Sequence, residues 1–167
     1  QPTATGWKVQ STGLDFITNG EHWPTLTLAA KSENDQFFAY VNQLNVQNLL
    51  PLLPLFPGVD NEVLHQWTAL SPKASIGPIR LYQQADQPLL ASTNITQLHW
   101  QKVGGIPSTN PLDINLRWQD KSLLLSLPEQ TYQVYFGDEF SAPLVFNGAP
   151  MTGRFDSETL TLSVPQL

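Results

Sequence analysis

The sequence predicts a mostly β chain, an antiparallel meander interrupted by one short helical insert around residues 47–70. Three observations carry that expectation. Fourteen prolines and ten glycines punctuate the 167 residues, which suits short strands joined by turns. Apolar and polar residues alternate strictly in several stretches, so that Leu112, Ile114, Leu116 and Trp118 interleave with Asp113, Asn115, Arg117 and Gln119. The chain also carries 5 Trp, 4 Tyr and 8 Phe, with 41% apolar residues, enough to offset the entropy of ordering one domain.

The elements follow in order. Trp7-Lys-Val-Gln-Ser alternates, Leu14-Asp-Phe-Ile follows, and Asn19-Gly20 is a hairpin-turn dipeptide. Leu26, Leu28 and Ala30 share one face of the next strand. Lys31 to Gln36 reads as a polar turn, and Phe37 to Val46 as one long strand. In the Leu- and Pro-rich run that comes next, Asn48 is the expected cap of a helix that Pro51 and Pro54 hold to a turn or two. Val63, Leu64, Trp67 and Leu70 mark a helix from Asn61 to Leu70, stopped by Pro72. From Ser75 the period returns to two: Ile76, Ile79 and Leu81, then Leu89 to Trp100, then the loop Gly104 to Pro111. Asp120-Lys121 turns the chain from 112–118 into Leu123–Leu127. Tyr132, Val134 and Phe136 share a face, Gly137-Asp138 turns toward Leu144–Phe146, and Leu160, Leu162 and Val164 alternate at the end.

Composition removes several classes of function. Charged residues are only 13%, about half of the roughly 25% usual in soluble domains; polarity comes from 15 Gln, 10 Asn and 14 Thr instead. A net charge of −6 without basic clusters lacks the footprint of a nucleic-acid binder. No run approaches the 18 or so apolar residues of a membrane-spanning helix, and Leu49 to Val59 carries three prolines. Zero cysteines exclude disulfides and thiolate chemistry. The first residue is Gln1 and the only methionine is Met151, so the chain is expected to be a piece of a longer protein.

No catalytic constellation emerges. His22, His65 and His99 lack the spacing of a zinc site, so no metal and no cofactor are expected. Asp138-Glu139 and Asp156/Glu158 are the carboxylate pairs available for glycoside hydrolysis, yet they sit where turns need polar residues. Gly104-Gly105, preceded by Lys102, fits no phosphate loop. Asn94-Ile-Thr96 is a glycosylation sequon inside a strand. Tryptophans on strands are more often core or sheet-face residues than a sugar platform.

Particular residues resemble a known family. Gly6-Trp7-Lys-Val, Leu14-Asp-Phe and Trp23-Pro24 are similar to the opening of a segment in the YhdP family, AsmA-like proteins of the Gram-negative envelope. Leu44 to Leu53 with Ser71-Pro72-Lys-Ala-Ser-Ile-Gly77 resembles that family's helical insert, and Ile95 to Pro107 its Trp- and Gly-containing stretch, with Ser108 in place of a glycine. The resemblance implies a curved β-groove, taco-like, forming a single segment over 1–167. It also implies a non-enzymatic role, passing phospholipids between inner and outer membrane. On that reading the acyl-chain lining candidates are Leu26, Leu28, Phe38, Tyr40, Leu116, Trp118, Leu123, Leu125, Val134, Phe136, Leu160 and Leu162. Neighbouring repeats of the same chain would flank it, the location would be periplasmic with an inner-membrane tether elsewhere, and exposed edge strands could pair two copies. The alternative is a β-sandwich that binds carbohydrate or protein.

Overall fold

The computed structural model describes residues 2–3, 6–18, 20–55, 60–137, 140–156 and 159–163. Along the chain run β1 (Pro2–Thr3), β2 (Gly6–Leu14), β3 (Ile17–Thr18), β4 (Glu21–His22), β5 (Leu26–Glu33), β6 (Gln36–Val41) and β7 (Leu44–Asn45). Then come α1 (Val46–Leu49), a 3-10 stretch (Leu50–Leu55) and α2 (Asn61–Leu70). The remaining strands are β8 (Lys73–Ile76), β9 (Ile79–Gln84), β10 (Leu90–His99), β11 (Ser108–Thr109), β12 (Leu112–Gln119) and β13 (Ser122–Leu127). They continue through β14 (Gln130–Tyr135), β15 (Leu144–Gly148), β16 (Met151–Asp156) and β17 (Thr159–Ser163).

Twelve strands form one antiparallel sheet in the order β1-β2-β5-β6-β9-β10-β12-β13-β16-β17, which is chain order throughout, so the meander is as expected. β7 and β8 prolong β6 and β9: β7 pairs with β8, and β8 lies beside β10. The sheet does not close, because β1 and β17 stand at opposite edges. Two small sheets, β3-β4 and β11-β14-β15, hang from it.

The two ends of this sheet differ. At one end the strands reverse tightly, through Asn34-Asp35 (φ 49° and 59°) and Asp120-Lys121 (φ 50° and 61°), the two-residue turns whose twist suits a hairpin. Lys31 to Gln36 is therefore not a turn as a whole. β5 continues through Lys31, Ser32 and Glu33, and Lys31 forms an ion pair with Glu33. Polar residues on the outer face of a strand look like a turn when read in sequence alone.

The other end carries every long excursion, and each touches the next. The β3–β4 hairpin surrounds the expected Asn19-Gly20 turn; Gly20 has φ 79° and Asn19 lies outside the described residues. It meets the helical insert where the Asn48 amide points at the His22 carbonyl, 3.5 Å away. Asn48 is buried inside α1 rather than capping it, since the helix begins after Asn45. The insert meets the β10–β12 connection where Gln101 N–H donates to the Leu70 carbonyl at 2.8 Å. That connection meets β14 through Ser108–Thr109, paired with Tyr135 and Val134.

Phe37 to Val46 is broken at Asn42-Gln43, and the neighbouring strand is broken at Gly77-Pro78. The two breaks lie side by side: a Cβ on Gly77 would fall 2.3 Å from the Asn42 carbonyl oxygen, and its φ is 150°. Irregularities also fall in β2 between Ser11 and Leu14, where Gly13 has φ 70°, and in β10 between Ile95 and Leu98, where Gln97 has φ 58°. Bulges of this kind bend and twist a sheet, so it curves along a line crossing four strand positions.

Little is buried. Among the described residues only Leu26, Ala74, Leu112 and Tyr132 are buried hydrophobics. Among the described residues the large sheet is a single layer, with no second sheet stacked on its apolar side.

Candidate functional site: an uncharged sheet face

Cross-strand register shows which residues share a face, since directly paired residues point the same way. One unbroken row runs Val9–Ala30–Ala39–Leu81–Ala91–Trp118–Leu123–Phe155. The row beside it runs Ser11–Leu28–Val41–Ile79 and resumes as Thr93–Leu116–Leu125–Gly153. A third holds Leu44–Ile76–Ile95–Ile114, with Leu127 opposite Met151. The paired breaks at 42–43 and 77–78 are what keep Leu44 and Ile76 on this face: each adds an odd step, and the two steps match.

Among the described residues the face carries no charge. Every charged residue in the strands of the large sheet (Lys8, Lys31, Glu33, Lys73, Arg80, Asp113, Arg117, Arg154 and Asp156) alternates onto the opposite face. It is also open. Trp7 is 43% exposed, Val9 60%, Trp118 39% and Phe155 41%, values a packed interior would not leave. A shallow hollow of about 150 Å³ sits on it, with Ile79, Ala91, Thr93, Leu116, Trp118 and Leu123 of this face in its lining. Ala30, Ala39 and Ala91 keep the central row low between larger neighbours.

The candidate lining residues divide. Leu26, Leu28, Leu116, Trp118, Leu123 and Leu125 fall on the uncharged face. Leu160 and Leu162 pair in backbone register with Phe155 and Gly153. Phe38 and Tyr40 stand on the opposite face, Phe38 between Lys31 and Tyr82 and Tyr40 beside Arg80. Val134 belongs to the smaller sheet, paired with Thr109 and Leu144; Phe136 lies just past β14, its ring 5.2 Å from that of Phe140. Phe37, Ala39, Val41, Ile79, Leu81 and Ile95 take their places on the uncharged face. The two-residue turn at Asn34-Asp35 was the available signal, because it sets Leu28 opposite Val41 and therefore Phe38 opposite Lys31.

Several polar groups away from this face have structural partners, whereas Gln47 Oε1 and Thr109 Oγ1 are buried without one. Asp156 accepts from the Ser122 hydroxyl and from Arg154 Nε at 2.8 Å; the hydroxyl first, then the guanidinium, hold its carboxyl below the usual carboxylate range. Asp138, Glu139, Glu158 and Val164 lie outside the described residues. The histidines occupy β4, α2 and β10, and no group of metal-binding side chains forms among the described residues. The tryptophans form no single platform: Trp23 Nε1 donates to Thr18 Oγ1, Trp100 Nε1 to the Pro107 carbonyl, Trp67 is on α2, and only Trp7 and Trp118 share the open face. Among the described residues no helix is long and apolar enough to cross a membrane.

A family model described as YhdP protein matches the chain over residues 1–167. Comparison with curated proteins gives no match, and neither does comparison with solved structures.

Proposed function

The chain belongs to the YhdP family, and from that premise and its open uncharged face we propose that it is a segment of an intermembrane phospholipid transport protein, sheltering acyl chains along the sheet. The carrying observation is the unbroken apolar row from Val9 in β2 to Phe155 in β16. Exposing a tail to water costs about 0.8 kcal/mol for each methylene, and a surface without charges and with few polar side chains offsets that cost while letting the chain slide. The rows run across the strands, so the path lengthens with every strand added, and neighbouring repeats pairing at the β1 and β17 edges would extend it. The reading puts the segment in the periplasm, with an inner-membrane tether elsewhere in a longer protein, and it requires no catalytic group.

Photo-crosslinkers at Leu28, at Leu116 and at Leu124 test it, Leu124 being paired with Arg117 on the charged face. Lipid is expected on the first two and not on the third. Equal capture from both faces, or none from Leu28 and Leu116, overturns the proposal.

A further inference from the structure

All three arginines of the chain, Arg80, Arg117 and Arg154, stand in one cross-strand row on the charged face. The row runs Tyr40–Arg80–Ser92–Arg117–Leu124–Arg154–Thr161, so an arginine falls on every second strand. Adjacent arginines are thus roughly 10 Å apart at the backbone, within convergent reach of two guanidinium groups.

The intervals between them are unlike. Between Arg117 and Arg154 stands Leu124, and Arg154 is already held by Asp156 and Ser122. Between Arg80 and Arg117 stands Ser92, whose neighbour on the same face, Asn94, is paired with Asn115. Within the described residues the side chains of Arg80, Ser92, Asn94, Arg117 and Asn115 form no hydrogen bond or ion pair. The carboxylate sharing this stretch, Asp113, is engaged by Gln97 N–H at 2.9 Å. Two guanidinium groups without side-chain partners, one hydroxyl and two carboxamides therefore occupy neighbouring register positions on this face, in a chain whose overall charge is −6.

We infer that Arg80, Ser92 and Arg117, with Asn94 and Asn115, form a binding site for a phosphate group. A planar carboxylate satisfies one guanidinium fork; a tetrahedral phosphate presents oxygens to two forks from opposite sides and still accepts from the hydroxyl and an amide. The site lies on the face opposite the apolar rows, so it stands or falls independently of the lipid-sheltering role.

The test is calorimetric titration of the chain with inorganic phosphate at fixed ionic strength, with acetate as the comparison. Arg80→Gln and Arg117→Gln should each weaken phosphate binding about tenfold or more, whereas Arg154→Gln should leave it unchanged. Circular dichroism checks that these exposed substitutions leave the fold intact. Co-sedimentation with phosphatidylglycerol vesicles that free phosphate competes away identifies a lipid headgroup as the source; phosphate binding without co-sedimentation identifies a soluble phosphate compound. Absence of phosphate binding, acetate binding as tight as phosphate, or equal effects of all three substitutions overturns the assignment.

Discussion

Asn42 and Asn110 terminate their strands by the same device, though they lie in different halves of the chain. The Asn42 backbone N–H donates to the Thr27 carbonyl at 3.1 Å, its Oδ1 accepts from Thr27 N–H at 2.8 Å, and its Nδ2 donates to the Thr25 carbonyl at 3.0 Å. Asn110 does the same to Gln133 and Thr131, at 3.0, 2.7 and 2.8 Å. A side-chain amide stands in for the next peptide unit of the ladder, and this lets the backbone leave the sheet without stranding the partner's donor and acceptor. Both residues sit where the chain departs into an excursion or returns from one.

Asn42→Ala and Asn110→Ala should therefore each cost about 1–2 kcal/mol, the worth of losing polar partners that are only partly shielded from water. Urea denaturation measures it. Asn42→Asp should recover little, because it keeps the acceptor for Thr27 N–H and loses the donor to Thr25. Full stability in the alanine variants would show that the amide bonds contribute nothing net.

Gly153 lies beneath Leu125 on the uncharged face. A Cβ there would sit 2.8 Å from Leu125 Cγ and 3.0 Å from its Cδ1. Gly153→Val should destabilise the sheet by about 1–3 kcal/mol, as overpacking does elsewhere, and should lower lipid capture from a crosslinker at Leu116. An unshifted urea midpoint would mean that Leu125 swings aside at no cost.

Acid should weaken the β13–β16 pairing. The native Asp156 carboxyl is held below its ordinary value of 3.8 by the Ser122 hydroxyl and Arg154. A depressed native pKa gives stability that is present above the unfolded value and lost as the pH falls through the native one. Urea midpoints from pH 7 down to pH 3 should decline more steeply for the native chain than for Asp156→Asn. Parallel curves would remove Asp156 from any part in acid sensitivity.

The position of Phe38 shows how much of the site was legible before the fold was known. Within each strand the alternation is plain in the sequence, and the two-residue turn at Asp120-Lys121 sets Leu116 and Trp118 on the same face as Leu125 and Leu123. Reading Lys31 to Gln36 as a turn leaves the parity of the next strand open, and the structure places Phe38 and Tyr40 on the charged face and Phe37, Ala39 and Val41 on the uncharged one. Because side chains alternate with a period of two, a one-residue error moves a whole strand to the other face. Val134 shows a different failure. Its own strand alternates as clearly as any other, yet that strand pairs with β11 and β15, outside the large sheet.

Local chemistry by itself determined the antiparallel meander, the helical insert and the scarcity of charge, because turn residues, prolines and period-two alternation act over a few neighbours. Which side chains share a surface was decided only by the tertiary structure. The apolar rows and the arginine row are assembled from strands far apart in the chain, and their alignment depends on matched breaks at Asn42-Gln43 and Gly77-Pro78. Those breaks are close in space and 35 residues apart in sequence, so neither could be assigned its structural meaning alone.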